Sequence, residues 1–285
     1  MNDRAPAHLS LTLSRRSLLA AIAAFSATPA WAISDGAPDI LGLPVADMRR
    51  VSRTLWIKSL TTNVWITCFT FEIEGNVIVP ANGLIIADRS GAILVDTGCT
   101  RDEGKQLLRL AREVTGQRVT RAIATHFHAD RTGGIEAMRA ANIPVLAHPY
   151  TVGLAQAYGF PIPQPLAGLE RGPVVIEPVE LFFPGPGHTR DNITVWHGES
   201  RTLFGGCLLR PTIQNDVAGG TPGDSDLAAY PATLARLAER YPTRQFTIPG
   251  HGPIAGDALA WTQHLAQTAT RHTRGRHCDI SPPSI

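Results

Sequence analysis

The segment Thr125-His126-Phe127-His128-Ala129-Asp130-Arg131, followed at once by Thr132-Gly133-Gly134, decides how the rest of the chain is read. Residues 119–125 read as a strand that ends in it, and residues 134–142 as a short helix that leaves it. In an extended or tightly turned segment, side chains i and i+2 point the same way. His126 and His128 are therefore placed to share one metal ion. Asp130 has the same parity and can face a second ion beside the first. Taken alone, the segment also fits two solvated loop histidines and an Asp that caps the following helix.

Three other strand ends carry the same kind of side chain. His188 lies in Pro184-Gly185-Pro186-Gly187-His188-Thr189, directly after a strand expected over residues 179–183. Cys207 lies in Gly205-Gly206-Cys207, after a strand over 202–205. His251 lies in Pro249-Gly250-His251-Gly252, after a strand over 245–248. The glycines let backbone segments approach closely. Imidazole, thiolate and carboxylate together favour zinc over magnesium or calcium. His148, His197, His264, His272 and His277 lack this context and read as surface or structural residues.

Around these ends the chain alternates strands and helices. Residues 63–71 and 77–80 flank Gly75-Asn76 and read as a β-hairpin. Phe69, Phe71 and Ile73 give it an apolar face, and Thr70, Glu72 and Glu74 a polar one. Further strands are expected over 92–96, 144–148 and 192–197, with helices over 102–115, 228–240 and 256–271. Early strands, intervening helices and then the same again suggest two β-sheets with helices outside them. No repeat, low-complexity stretch or linker divides the chain, so residues 33–285 read as one domain.

Composition sets the class. The 285 residues are 44% hydrophobic and 18% charged, which is globular and excludes a disordered or fibrous chain. Residues 1–32 hold Arg4, Arg15 and Arg16 against Asp3, and the remainder carries 23 basic and 23 acidic residues. A neutral body gives no footprint for nucleic acid and no basic cluster for an anionic membrane surface. At the N-terminus, Arg15-Arg16 precedes an apolar run over 18–25 and then Ala30-Trp31-Ala32. These are the parts of a cleaved export signal over residues 1–32, which implies a periplasmic mature protein starting at Ile33. The run is far shorter than the ~20 residues a spanning helix needs, so no stable membrane anchor is expected. Ser14-Arg15-Arg16-Ser17-Leu18-Leu19 also resembles the twin-arginine export motif, and a general secretory route stays open. Cys68, Cys99, Cys207 and Cys278 form no CxxC, so a disulfide scaffold is not expected.

His126-x-His128-x-Asp130, Gly187-His188-Thr189, Gly206-Cys207 and Gly250-His251 together resemble the metallo-β-lactamase superfamily. Asn82-Gly83-Leu84-Ile85 and Leu94-Val95-Asp96-Thr97 fit its opening strands. The resemblance runs from about residue 64 to the last helix. It implies an α/β fold, a four-layer αβ/βα sandwich of two mixed β-sheets flanked by helices, with metals at one edge. Most hydrolases of the superfamily carry His after the motif Asp and a bridging Asp where this chain has Arg131 and Cys207. Those two differences resemble subclass B1 of the class B β-lactamases.

The resemblance implies two zinc ions per chain. His126, His128 and His188 would hold the first, and Asp130, Cys207 and His251 the second. It implies hydrolysis of the β-lactam amide bond of penicillins, cephalosporins and carbapenems, and hence antibiotic resistance. Asp130 would be catalytic by orienting the attacking water, with no enzyme nucleophile. Asp96 resembles a buried structural Asp of the family. The hairpin resembles a flap that covers substrate. Arg210 stands where the family often has Lys, and would clamp the substrate carboxylate. Thr221, in Gly220-Thr221-Pro222-Gly223-Asp224, stands where Asn is common and would contact substrate. Cys99 stands where many members have Trp. The expected partner is a small β-lactam, and the expected state is a monomer. A thioesterase or lactonase of the same fold, and an exported zinc-binding protein without catalysis, are the competing readings.

Overall fold

In the computed structural model, residues 48–73, 77–213 and 223–275 are described. The signal expected over 1–32, the Gly75-Asn76 tip, Thr221, His277 and Cys278 lie outside them. The first sheet is built from β1 (Arg49–Arg50), β2 (Leu55–Ser59), β3 (Val64–Ile73), β4 (Val77–Asp88), β5 (Gly91–Val95), β6 (Val119–Ile123), β7 (Val145–Ala147) and β8 (Gln164–Pro165), side by side in chain order. Neighbours are antiparallel up to β5 and parallel from β5 onward. The parallel part needs crossovers, supplied by α1 (Arg101–Thr115), by α2 (Ala129–Thr132) with α3 (Ile135–Ala140), and by α4 (Pro149–Tyr158).

The second sheet contains β9 (Val174–Ile176), β10 (Val179–Phe182), β11 (Thr194–His197), β12 (Thr202–Gly206) and β13 (Phe246–Pro249), in the order β13-β12-β11-β10-β9. Only β12 and β13 are parallel in it, joined through α5 (Tyr230–Arg240), and α6 (Ala258–Gly275) follows β13.

The layers follow from strict alternation. On β5, Ala92 and Leu94 pack with Leu107, Leu110 and Ala111 of α1 and Met138 of α3. Ile93 and Val95, on the other face, pack with Leu181, Val195, Phe204 and Ile248 of the second sheet. Leu203 of β12 turns outward to Leu234 and Leu237 of α5 and Leu259 of α6. The result is helix, sheet, sheet, helix: the αβ/βα sandwich with two mixed sheets.

Local rules explain the helices that the sequence shows and the one it hides. α1 begins with a capping box, Thr100 accepting from Glu103 N while the Glu103 carboxylate accepts from Thr100 N, and ends at Gly116 in the left-handed region. α4 has no apolar stripe to announce it. It is capped by His148, whose Nδ1 accepts from Tyr150 N at 3.1 Å, and Pro149 fills its first turn. His148 and His197 are buried, in keeping with structural roles.

Both sheets deliver their strand ends to one edge. Ile193 N donates to Thr125 O at 2.9 Å, across the two sheets. Asn82 N donates to Gly250 O at 2.8 Å, and Gly250 N to Gly206 O at 2.7 Å. At Gly250 a Cβ would lie 2.5 Å from Cys207 N and 2.8 Å from its sulfur, so only glycine lets these two ends meet.

Candidate metal centre

The motif segment leaves β6 and turns under strong constraint. Asp96, just past β5 with φ +64°, accepts from Thr125 N at 2.9 Å and from Thr125 Oγ1 at 3.1 Å. Thr132 Oγ1 donates to His128 O at 3.0 Å and closes the turn. A Cβ on Gly134 would sit 2.0 Å from Thr97 O, so the Gly133-Gly134 pair lets the turn lie against residues 97–99. His188 is carried on a loop folded by Asn192, which accepts from Thr189 N at 3.0 Å and donates to Gly185 O at 2.8 Å.

His126, His128 and His188 meet with one ring nitrogen each inside 4.8 Å of the others. Their ring centroids are 4.8, 4.8 and 5.2 Å apart and the rings stand nearly perpendicular. His126 Nε2 and His128 Nδ1 are 3.1 Å apart. Asp130, Cys207 and His251 form a second triad of the same size. The six candidate side chains thus gather in two groups of three, each able to hold a metal ion.

The donors suit a soft divalent cation. Both ring nitrogens of the buried His188 lack a hydrogen-bond partner, which a buried polar group does not tolerate without a ligand. Burial, then the neighbouring imidazoles, hold His126 and His188 well below the usual histidine range, so they present neutral lone pairs. In the second triad burial opposes charge, yet Arg131 and His251 hold Asp130 well below the ordinary carboxylate range. Burial also opposes charge on His251, but Cys207 and Asp130 outweigh it and push the imidazole up to about 9. A positive charge therefore belongs at this triad, and three N, O and S donors fit zinc.

Partners behind the ligands fix which nitrogen faces inward. His251 Nδ1 donates to Pro80 O at 2.7 Å, which turns Nε2 to Asp130 at 3.3 Å. His128 Nε2 is 3.0 Å from Asp224 Oδ2, which turns Nδ1 into the cluster. Arg131, fully buried, donates to Asn82 O at 2.7 Å and to Gly250 O at 2.9 Å. Its guanidinium also reaches Asp96 at 3.0 Å, Asp130 at 2.8 Å and the Cys207 sulfur at 2.9 Å. Burial, helped by the nearby charge of Asp130, pushes Asp96 up to about 6 even against the pull of Arg131.

Arg210, expected to read substrate, is 2% exposed. Its backbone N–H donates to Thr262 Oγ1 at 2.8 Å, and its side-chain charge acts on both Tyr230 and His188. Thr221 lies outside the described residues. Sequence reasoning missed two members of the site. Asp224 had only its place after Gly223 to mark it, and Tyr158 sits on the unannounced helix α4.

The comparisons agree with this geometry. The family model of the metallo-beta-lactamase superfamily matches residues 78–251. A metallo-beta-lactamase type 2 of Bacteroides fragilis is 30% identical over 236 residues, 80% of this chain and 92% of its own length. One of Pseudomonas aeruginosa is 32% identical over 74% of this chain and 85% of its own. Among solved structures, a metallo-beta-lactamase from Erythrobacter litoralis with beta mercaptoethanol in its active site superposes with TM-score 0.72 at 31% identity, covering 78% of this chain and all of that one. FIM-1 from Pseudomonas aeruginosa, solved in a mono-zinc form, gives TM-score 0.72 at 32% identity over 76% of this chain and 96% of its own. Two stacked mixed sheets, paired ligand triads at their shared edge and a family match across the residues that carry them place one conclusion beyond the resemblance: the chain belongs to the metallo-β-lactamase superfamily.

Proposed function

We propose that the protein is a two-zinc hydrolase that opens the amide bond of β-lactams: penicillins, cephalosporins and carbapenems. The observation that carries this reading is the donor set, three histidines beside an Asp-Cys-His triad, in a chain whose relatives are named metallo-beta-lactamases. His126, His128 and His188 would hold one ion, and Asp130, Cys207 and His251 the other. Zinc, when bound, would supply Lewis acidity, lowering the pKa of a water to about 7 and polarising a carbonyl oxygen. Asp130, held ionised beside Arg131, accepts a hydrogen bond from the attacking water and points its lone pair at the lactam carbonyl. Arg210 binds the substrate carboxylate, Thr221 adds a polar contact, and the outer part of the β3–β4 hairpin covers the substrate. Residues 1–32 direct export, and residues 33–285 act in the periplasm as a monomeric catalytic domain that confers antibiotic resistance.

The test is direct. Purified protein is assayed on a penicillin, a chromogenic cephalosporin, a carbapenem and a glutathione thioester, with and without chelator. Turnover of the lactams, abolished by chelator and restored by zinc, is expected. Turnover of the thioester alone would move the protein to another hydrolase of the same fold, and binding of zinc with no turnover would make it a zinc-binding protein. Expression in a susceptible bacterium with and without residues 1–32 tests export and resistance together.

A further inference from the structure

We propose that Tyr158 is a positioning residue for the three-histidine site, acting through Asp224 on the ring of His128. This rests on the zinc-hydrolase reading above. The two oxygens of Asp224 are divided between two partners. Oδ2 lies 3.0 Å from His128 Nε2, and Oδ1 accepts from the Tyr158 hydroxyl at 2.8 Å. Asp224 is buried in a turn between β12 and α5, outside any helix or strand. Tyr158 is the last residue of α4, stopped by Gly159 in the left-handed region. Its ring packs on Phe127 at 4.8 Å and lies parallel to Phe160, 7° apart in plane.

Phe127 closes the arrangement on itself. It is buried, it precedes His128 in the chain, and its ring contacts the His128 ring at 4.4 Å. His128 is therefore gripped twice from the same aromatic cluster: by packing through Phe127, and by hydrogen bonding through Tyr158 and Asp224. Burial, and then the hydrogen bond to Asp224 and its charge, raise the Tyr158 phenol above its ordinary range, in keeping with a hydroxyl that donates to Asp224. Since Asp224 occupies Nε2, Nδ1 is the nitrogen His128 presents to a metal. A partner of this kind sets ring orientation and ligand basicity. With the phenol gone, Asp224 keeps its charge but loses the bond that holds it toward His128.

The experiment is a double-mutant cycle read by zinc affinity, using competition with a chromophoric chelator on wild type, Tyr158→Phe, Asp224→Asn and the double variant. Cobalt substitution follows the Cys207 site separately through its thiolate-to-cobalt absorption. Direct partners of ligand histidines typically matter by 10–100-fold in metal affinity, so Tyr158→Phe, one bond further out, is expected to weaken the three-histidine site roughly 3- to 10-fold. The Cys207 absorption should not change, and in the Asp224→Asn background the Phe substitution should cost nothing more. Phe160→Leu, which loosens the ring stack and spares the hydroxyl, should weaken zinc binding less than Tyr158→Phe. Unchanged affinity in Tyr158→Phe, equal weakening of both sites, the same loss without Asp224, or an equal loss in Phe160→Leu would each overturn the role. Wild-type protein that binds no zinc would instead overturn the reading beneath it.

Discussion

Arg131 shows at the scale of a residue why this site is built as it is. A guanidinium with no exposure is costly to bury unless several acceptors surround it, and here two backbone carbonyls, two carboxylates and a sulfur do so. One side chain thereby neutralises Asp96 and Asp130 while tying β4, β5 and the loop after β13 together. The sequence displays Arg131 beside Asp130, but only the fold shows what it bridges, because the other partners are 35 to 119 positions away in the chain. Arg210 is the contrasting case. Its burial leaves little open surface, and its charge lies near His188. Our proposal gives it the substrate carboxylate. A charge-assisted contact is worth about 1.5–3 kcal/mol, or roughly 10–150-fold. Solvent screening at the open substrate and competition from the cations bring the expectation to the low end. Arg210→Ala should raise KM roughly tenfold for lactams bearing the carboxylate, with a smaller change in kcat and little effect on the matching ester. Equal losses on acid and ester would show that Arg210 supports the loop of His188 and does not read the carboxylate.

At the scale of the element, the β3–β4 hairpin divides into two parts. Its pairing runs from Val64 opposite Ile86 to Ile73 opposite Val77. The sequence groups Phe69 with Phe71 and Ile73 as one apolar face. In the structure Phe69 is 3% exposed and belongs to the cluster beneath α1, and Thr70 on the other face is also buried. Period-2 alternation cannot separate these cases, because it reports which residues share a face and not where along the strand the sheet stops being covered. Phe71 and Glu72 begin the uncovered part. Replacing residues 72–78 by a short Gly-rich loop should therefore spare the core. We expect KM to rise roughly 3- to 10-fold across several lactams, with kcat and the thermal midpoint less affected. An unchanged KM would make the hairpin a plain edge of the sheet. α4 illustrates the reverse limit of legibility. A helix held by its caps and by Tyr158 at its end, without an apolar stripe, has no period to read, and the site residue it carries went unread with it.

At the scale of the molecule, ligands on four loops have to arrive at one place. The sequence makes the arrival foreseeable, because each ligand follows an apolar run and lies among glycines, and parallel strands in a layered α/β fold present their ends to one edge. It does not reveal which loops lock which, since that depends on bonds such as Asn82 N to Gly250 O and Ile193 N to Thr125 O, between residues far apart in the chain. The first triad draws His126 and His128 from the end of a strand in the first sheet and His188 from the second-sheet side. The second triad joins Asp130 to Cys207 and His251 in the same way. An ion held at each triad would therefore cross-link the two sheets, and a ligand bound only by the folded state stabilises it by mass action. At a hundredfold excess over Kd, one zinc should add about 2.7 kcal/mol. For a domain of this size that is roughly 5–10 °C in Tm. The expected result is a chelator-induced fall of that order per site, with Tm rising as free zinc is titrated back. Cys207→Ala should retain only the increment of the three-histidine site, since its second triad keeps two of three donors. A Tm that ignores both chelator and zinc would mean that the two triads are held by the protein alone and that neither ion joins the sheets.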